Sequence, residues 1–205
     1  MRTIAEGHLR FEFGPEWKHV EQWDKTPAFK AGIHGVDGIR ALDIIALSDD
    51  ECLLLEIKDF RAQNDEQASD EARGRRAKRR SKHAVEPGEA EAPGADALVE
   101  QVAQKVAGTL AGLVGAARMQ DTRYAGEFAR FLAAHRSEGR KVRVVLWIEG
   151  EPTSKGKSLR AKSNLGTLTN SLKRKVQWLS HKPVQVLSSA SPPTLPGVTV
   201  TDTRP

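Results

Sequence analysis

One predicted β-hairpin in the first half of the chain brings two carboxylates and a lysine together. The turn-forming residues Ser-Asp-Asp-Glu at 48–51 separate two apolar stretches, which predicts a pair of antiparallel strands. A loop centred on this turn places Asp43 opposite Glu56. Because side chains alternate faces along a strand, Lys58 lies on the same face as Glu56. The spacing therefore predicts one polar site at the far end of the hairpin.

Two opposed carboxylates on neighbouring strands predict a bound cation. Directly opposed like charges destabilise a sheet, so without a cation Asp43 and Glu56 are expected mainly to repel each other. A hard divalent cation removes that penalty, because Mg²⁺ is typically held by one or two carboxylates with phosphate oxygens and water. The other face of the hairpin is apolar and consists of Leu42, Ile44, Ala46, Leu53, Leu55 and Ile57. The hairpin is thus predicted to join a buried core to a site for metal and phosphate.

These residues resemble the PD-(D/E)xK nuclease superfamily, whose signature is an acidic residue starting one strand and Glu-x-Lys ending the next. Asp43 and the run Glu56-Ile57-Lys58 match it in order, spacing and strand context, whereas residues 41–42 are Ala-Leu in place of Pro-Asp. The resemblance implies that Asp43 and Glu56 bind Mg²⁺ (or Mn²⁺), with the backbone carbonyl of Ile57 as a further ligand. It also implies that Lys58 lies near the attacking water.

The longer segment 35–61 is similar to small bacterial restriction-endonuclease-like proteins. This similarity implies an Mg²⁺-dependent nuclease that hydrolyses DNA phosphodiester bonds in repair, restriction or defence. An alternative is a non-catalytic nucleic-acid-binding or interaction module on the same fold. A purely structural explanation also stays open, in which Lys58 neutralises Glu56 at a partly exposed strand end. Dependence of an activity on Mg²⁺ or Mn²⁺ would separate the nuclease from the others.

Strand and helix patterns predict an α/β fold over residues 1–205, organised as a single nuclease-like domain. The predicted strands are 9–13, 42–47, 52–58, 142–149, 184–187 and 198–201, and the predicted helices are a short one through Trp17, Val20 and Trp23, then 97–117, 126–135 and 165–179. This order predicts a mixed β-sheet flanked by helices. The nuclease resemblance implies the same restriction-endonuclease-like core. Three glycines of the 97–117 helix, at positions 108, 112 and 115, are expected to allow close packing against a neighbour.

Residues 62–96 differ in composition from the rest of the chain. Val85 is their only large aliphatic residue, among blocks of acidic and basic side chains. Such a segment cannot bury enough apolar surface to offset the entropy of ordering, which predicts a mobile, disordered charged insertion. A later loop, 152–163, supplies candidates for nucleic-acid contact, namely Lys155, Lys157, Arg160 and Lys162.

Four further polar residues are candidates for the site. Glu21 and Asp24 lie three apart on the predicted N-terminal helix, where either would supply an additional acid near the metal. Gln101 and Lys105 lie four apart on the 97–117 helix and resemble the polar positions that nucleases of this type direct toward substrate. All four equally fit solvated positions beside an apolar stripe. The sequence leaves both interpretations open.

Charge and cysteine content restrict the class of protein. The chain has 32 Lys and Arg against 27 Asp and Glu and a sequence pI near 9.4, which is compatible with a polyanionic partner such as DNA. Its one cysteine, Cys52, cannot form an intramolecular disulfide. No segment has the apolar core of a signal peptide or the roughly 20 apolar residues of a membrane span. We expect a cytoplasmic, DNA-binding protein, with no membrane partner, that acts as a homodimer or with a partner protein.

Overall fold

A computed structural model of the chain describes residues 1–31, 36, 39–61, 95–119, 123–133, 139–150, 161–179, 184–190 and 195–204. These residues form a mixed α/β fold with two sheets, one of them mixed, and four α-helices. The predicted fold class is confirmed. Within these ranges, no helix combines the length and the apolar character needed to cross a bilayer.

The described elements follow one another along the chain in an order close to the predicted one. They are β1 (Arg2–Glu6), β2 (Leu9–Phe13), β3 (His19–Gln22), a 3-10 helix (Trp23–Lys25), α1 (Pro27–Ala31), β4 (Ile44–Leu47), β5 (Glu51–Asp59), α2 (Ala95–Arg118), α3 (Arg123–Ala133), β6 (Lys141–Glu149), α4 (Ala161–Lys175), β7 (Val184–Leu187) and β8 (Val198–Asp202). The predicted strands and the helices α2 to α4 are thus confirmed, with shifts of a few residues at their ends.

The larger sheet has the hairpin near its centre. Its strands lie in the order β3, β4, β5, β6, β7. The pairs β3–β4 and β4–β5 are antiparallel, whereas β5–β6 and β6–β7 are parallel. Parallel neighbours need a crossover connection, and the crossovers contain α2 and α3 before β6 and α4 before β7. The hairpin therefore joins the antiparallel half of the sheet to the parallel half.

The two faces of the larger sheet belong to separate hydrophobic cores. On one face, Ile45 and Leu54 pack with the apolar residues of the helices. On the other face, Ile44 and Leu55 pack against a smaller antiparallel sheet with the strand order β1, β2, β8, which contributes Phe11. Successive strand residues point to opposite faces, so the hairpin contributes to both cores. Glu56, at the end of the hairpin, is consequently buried.

The predicted register of the hairpin is confirmed. Ile44 pairs with Leu55 and Leu47 pairs with Cys52. The regular pairing ends at Ile44, whereas β5 continues beyond Leu55 along β6. Asp43 and Glu56 thus lie where the hairpin opens, as the turn position predicts.

Leu42 corrects the prediction for the apolar face of the hairpin. It precedes β4, and it is buried in the helix-side core with Ile45 and not with Ile44. Its backbone N–H donates a hydrogen bond to the hydroxyl of Thr109 on α2 (2.9 Å). Strand alternation does not extend to Leu42, because its partner is a helix side chain instead of a neighbouring strand.

The short helix predicted through Trp17, Val20 and Trp23 is wrong. Residues 19–22 form the edge strand β3, which pairs with β4. Val20 is buried in the core beneath the smaller sheet, and Trp23 is buried in the helix-side core. Val20 and Trp23 are three residues apart because they are buried in two different cores, and they do not form one stripe on a helix.

The predicted insertion ends earlier than expected, and most of it cannot be compared with the structure. Residues 62–94 lie outside the described ranges, whereas 95 and 96 already belong to α2. In the predicted basic loop, residues 152–160 also lie outside the described ranges, and residues 161–163 form the first turn of α4.

Gly108→Ala is expected to lower the melting temperature, and Gly115→Ala is not. A Cβ at Gly108 would collide with the carbonyl oxygen of Arg40, and overpacking of this kind costs about 1–3 kcal/mol. A Cβ at Gly115 would meet nothing within 4 Å, which contradicts the close packing predicted there. Alanine at 115 is expected to stabilise the helix by about 0.5–1 kcal/mol. Thermal unfolding of both variants tests this, and equal effects would contradict the packing of Gly108 on Arg40.

Candidate functional site

Asp43 lies just beyond the last regular pair of the hairpin. Its Oδ2 accepts a hydrogen bond from the backbone N–H of Ile57 (2.7 Å). Its backbone carbonyl accepts one from the N–H of Trp23 (3.0 Å). The side chain thereby continues the hydrogen bonding of β5 where β4 has ended. Its second oxygen, Oδ1, lies 3.5 Å from the ammonium nitrogen of Lys105.

Glu56 is the most enclosed charged residue of the site. It has no exposed surface. Its Oε1 lies 2.9 Å from Nζ of Lys58 and 2.7 Å from Nζ of Lys105, and its Oε2 accepts a hydrogen bond from Lys105 (2.9 Å). A buried carboxylate needs such partners, because an unpaired buried charge is strongly unfavourable. Two lysines from different elements thus hold one carboxylate.

Helix α2 is docked so that Lys105 points at the end of the hairpin. Lys105 and Thr109 lie four residues apart and share a helix face. Thr109 accepts the N–H of Leu42, the residue before Asp43 (2.9 Å), and Gly108 allows the helix to approach Arg40. We call Asp43, Glu56, Lys58 and Lys105 the carboxylate–lysine cluster.

Burial and neighbouring charges act in opposite directions on this cluster. Burial raises the pKa of Glu56, the charge of Asp43 raises it further, and Lys105 and Lys58 oppose the shift. Burial works against the ammonium of Lys105, but Glu56 and Asp43 outweigh it, so the pKa of Lys105 is raised. The hydrogen bonds from the two ammonium groups favour the ionised form of Glu56, so burial and ion pairing compete at this carboxyl group. In their ionised forms the four side chains carry two negative and two positive charges.

Asp24 is a third carboxylate next to the cluster. It lies in the 3-10 helix Trp23–Lys25. The first residue of this helix, Trp23, donates its backbone N–H to the carbonyl of Asp43. Its Oδ1 is buried and has no hydrogen-bond partner among the described residues. Burial raises the pKa of Asp24, and the charges of Asp43 and Glu6 raise it further. The fold therefore holds a carboxylate where its charge is costly.

The other predicted site residues lie elsewhere or make no such contact. Glu21 is on β3 and pairs with Arg2 on β1 (3.1 Å), so it does not share a helix face with Asp24. Gln101 lies one turn before Lys105, half-buried, and forms no hydrogen bond to the cluster within the described ranges. The predicted nucleic-acid contacts Lys155, Lys157 and Arg160 lie outside the described residues, and Lys162 is in the first turn of α4.

The site offers oxygen donors of the kind a hard divalent cation prefers. Asp43 Oδ1 and Glu56 Oε2 are bound only by the ammonium of Lys105 among the described side chains, and Asp24 Oδ1 has no partner there. As they stand, the described residues contain no group of three carboxylates, histidines or cysteines arranged to hold a metal ion. Lys105 lies between Asp43 and Glu56. A cation held by these oxygens would have to take the place of this ammonium group.

Asp24→Asn is expected to raise the melting temperature near neutral pH. Because folding raises the pKa of Asp24, the folded state holds the proton more tightly than the unfolded chain. Its ionisation therefore costs stability as the pH rises above the ordinary carboxyl pKa of about 4. Asparagine does not ionise, so the variant and the parent should differ little at pH about 3 and increasingly toward pH 7.

Melting temperatures measured over this pH range test the expectation, with Asp50→Asn in the exposed hairpin turn as the control. A difference between Asp24→Asn and the parent that does not change with pH would contradict it.

The chain matches the model of one protein family over most of its length. A family of unknown function, DUF6661, matches residues 29–196. The chain belongs to this family. The DUF6661 range includes the whole carboxylate–lysine cluster, whereas Asp24 and all three strands of the smaller sheet lie outside it. Comparisons with curated proteins and with solved structures gave no significant match. Membership in DUF6661 does not assign a chemistry to the cluster.

Proposed function

We propose that the chain is a metal-dependent nuclease that hydrolyses DNA phosphodiester bonds, and that the carboxylate–lysine cluster is its catalytic site. The observation that carries the proposal is the convergence of two carboxylates and two lysines from β5, α2 and the residue before β4. Three of the four side chains, those of Asp43, Glu56 and Lys58, belong to the motif that resembles the PD-(D/E)xK superfamily. Enclosing four charges at one strand end costs stability, which favours a functional reason for their presence.

The carboxylates and Lys58 have different proposed roles. Asp43 and Glu56 would hold Mg²⁺ or Mn²⁺, with the carbonyl of Ile57 as a further ligand. Such a cation, when bound, would polarise a phosphate oxygen and lower the pKa of a bound water. Lys58 has the more exposed of the two ammonium side chains, 26% against 15% for Lys105, and it orients the attacking water or stabilises the developing negative charge.

The charges of the site suit the simultaneous binding of a cation and a phosphate. Counted in their ionised forms, Asp24, Asp43 and Glu56 with the two lysines carry one net negative charge. A divalent cation and one phosphodiester group together add one positive charge. The assembled site is then neutral, which favours binding both guests over either alone in a partly buried pocket.

Incubation of the purified protein with linear, circular and single-stranded DNA, in Mn²⁺ or in EDTA, tests the proposal. Cleavage is expected with Mn²⁺, none in EDTA, and none by Asp43→Asn. Glu51→Gln is the control, because Glu51 lies on the same strand as Glu56 but pairs with Arg143 at the opposite end of that strand. Absence of cleavage under all conditions, or equal activity of Asp43→Asn, would refute the nuclease assignment.

One observation favours a second candidate, a non-catalytic nucleic-acid-binding or interaction module. The two lysines already compensate Glu56, and Asp43 also accepts the Ile57 N–H. The cluster can therefore persist without a metal, contrary to the expectation that its carboxylates mainly repel each other. DNA binding that is independent of Mn²⁺ and unchanged in Asp43→Asn would support this module.

The setting that we propose follows from the same resemblance and from composition. DNA repair, restriction or defence in the cytoplasm would use such an enzyme, either as a homodimer or with a partner protein. The net charge of +5 favours a polyanionic substrate. Cys52 is buried, and burial raises the pKa of its thiol, so it stays reduced and unreactive.

A further inference from the structure

The ammonium group of Lys105 lies where a bound cation would be needed. Its Nζ is 2.7 Å from Oε1 of Glu56, 2.9 Å from Oε2 and 3.5 Å from Oδ1 of Asp43. An ammonium group donates three hydrogen bonds, and these three oxygens are the acceptors that the cluster offers it. Lys105 thereby screens the two carboxylates from each other.

The two lysines of the cluster are not equivalent. Lys58 contacts Glu56 through Oε1 at 2.9 Å and is the more exposed. If Lys105 withdrew, Lys58 would keep Oε1 paired, while Oε2 of Glu56 and Oδ1 of Asp43 would become free. Each carboxylate would thus supply one oxygen. Mg²⁺ is commonly bound by one or two protein carboxylates. Withdrawal of one side chain would thus expose a cation site without leaving Glu56 unpaired.

Asp24 provides a destination for the displaced ammonium group. Its Oδ1 is buried without a partner among the described residues. Burial and the charge of Asp43 raise its pKa, and Lys105 is close enough to oppose them. A lysine side chain is long and flexible, so its ammonium group can move between carboxylates while the helix stays in place.

We propose that Lys105 is an exchangeable internal counterion, which neutralises Asp43 and Glu56 in the metal-free protein and moves to Asp24 when a divalent cation binds. The inference rests on the metal-dependent function proposed above. Asp43 and Glu56 then have a positively charged partner in both states, and Asp24 gains one when the cation binds. The lysine keeps the metal-free protein folded, and it weakens cation binding by competing for the same oxygens.

Calorimetric titration with Mn²⁺ alone, without DNA and at one fixed pH, tests the exchange. Lys105→Met removes the competitor and is expected to bind Mn²⁺ about tenfold or more tightly than the parent, within the range by which groups around a metal site alter affinity. Lys105→Arg places a guanidinium that pairs more firmly with carboxylates, so it should bind Mn²⁺ severalfold more weakly. Lys175→Met, which removes a surface pair with Glu100, should match the parent.

Thermal unfolding gives a second readout that does not depend on activity. In EDTA, Lys105→Met should melt several degrees below the parent, because Glu56 and Asp43 lose their counterion. Saturating Mn²⁺ should restore most of this loss and should raise the melting temperature of the parent less. Asp24→Asn should bind Mn²⁺ more weakly, because the displaced ammonium loses its acceptor.

Three results would overturn the exchange. They are equal or weaker Mn²⁺ binding by Lys105→Met, unchanged binding by Lys105→Arg, and no recovery of Lys105→Met by Mn²⁺. Lys105→Arg preserves the charge, so the exchange can still be refuted if Lys105→Met does not fold. Tighter Mn²⁺ binding by Lys105→Met without any DNA cleavage by the parent would support the exchange and refute the nuclease. Mn²⁺-dependent cleavage by the parent, with Mn²⁺ affinity unchanged by substitution of Lys105, would support the nuclease and refute the exchange.

Discussion

Glu56→Gln is expected to abolish DNA cleavage and to lower the stability of the protein even in EDTA. Glu56 is fully buried and is the only carboxylate of the cluster that contacts both lysines in the described ranges. Glutamine retains the shape but removes the charge, which leaves Asp43, at 3.5 Å, as the one carboxylate of the cluster in contact with Lys105. Breaking a buried ion pair by removing one partner costs about 3–5 kcal/mol, and the raised pKa of Glu56 offsets part of this cost as the pH rises.

This expectation reverses what the hairpin alone suggests. From the sequence, Asp43 and Glu56 face each other and mainly repel, so neutralising one should not destabilise the metal-free fold. Lys105 comes from a distant part of the chain and forms an ion pair with Glu56. Neutralising Glu56 therefore removes an attraction as well as a repulsion, and the metal-free protein is expected to lose stability. The hairpin sequence does not contain Lys105, the residue on which the stability effect of Glu56→Gln depends.

Denaturant unfolding in EDTA and cleavage assays in Mn²⁺ measure the two effects of Glu56→Gln separately. Glu51→Gln is the control for both. Glu51 is on the same strand and pairs with Arg143, and both side chains are 13% exposed. This control should cleave DNA like the parent. If Glu56→Gln is as stable as the parent in EDTA, the ion pairs with Lys58 and Lys105 contribute little, and repulsion between Asp43 and Glu56 dominates.

The hairpin and its polar end could be predicted from the sequence, because the signals that determine them are local. The turn at 48–51 sets the register, and strand alternation then places Glu56 and Lys58 on one face beside Asp43. These contacts need no knowledge of the rest of the chain. The same signals place Ile45 and Leu54 on one face of the hairpin, which the structure shows to be the face covered by helices.

The role of Lys105 could not be predicted, because it depends on how a helix docks. The sequence marks Lys105 as a polar position beside the buried residues Val102 and Val106, which fits substrate contact as well as a solvated flank. Its direction is set by Thr109 binding the N–H of Leu42 and by the contact of Gly108 with Arg40. Both are contacts between residues more than sixty positions apart. A threonine within an apolar helix stripe is the one local signal that could have indicated them.

The N-terminal errors have the opposite cause, since a local pattern was present but ambiguous. Val20 and Trp23 are three residues apart, which is the spacing of one face of a helix. They are instead buried in two cores on opposite faces of the larger sheet. Strand β1 buries only Ile4 and gave no periodic signal. Asp24 was a candidate for the site, but its place beside Asp43 comes from the bond between the Trp23 N–H and the Asp43 carbonyl.

Lys58→Met is expected to reduce the rate of DNA cleavage by about 10² or more, comparable to the loss of one transition-state donor. Methionine keeps much of the length and apolar stem of lysine but removes the ammonium group. Lys58 contacts Glu56 only through Oε1, whereas Lys105 contacts both oxygens, so in the variant Glu56 keeps Lys105 as its partner before the cation binds and the cation itself afterwards. Mn²⁺ affinity should therefore change little, and stability should fall less than in Lys105→Met.

Rates at saturating Mn²⁺ and calorimetric Mn²⁺ titration of the same protein separate these two effects. Lys18→Met is the matched control, because Lys18 is an exposed lysine that pairs with Asp49 away from the cluster. It should leave both quantities unchanged. A loss of Mn²⁺ affinity as large as the loss of rate would mean that Lys58 positions Glu56 as a ligand and has no separate part in the chemistry. A large loss of rate with unchanged Mn²⁺ affinity would instead place the ammonium of Lys58 at the reacting phosphate, because a positioning role acts through the cation and would weaken its binding.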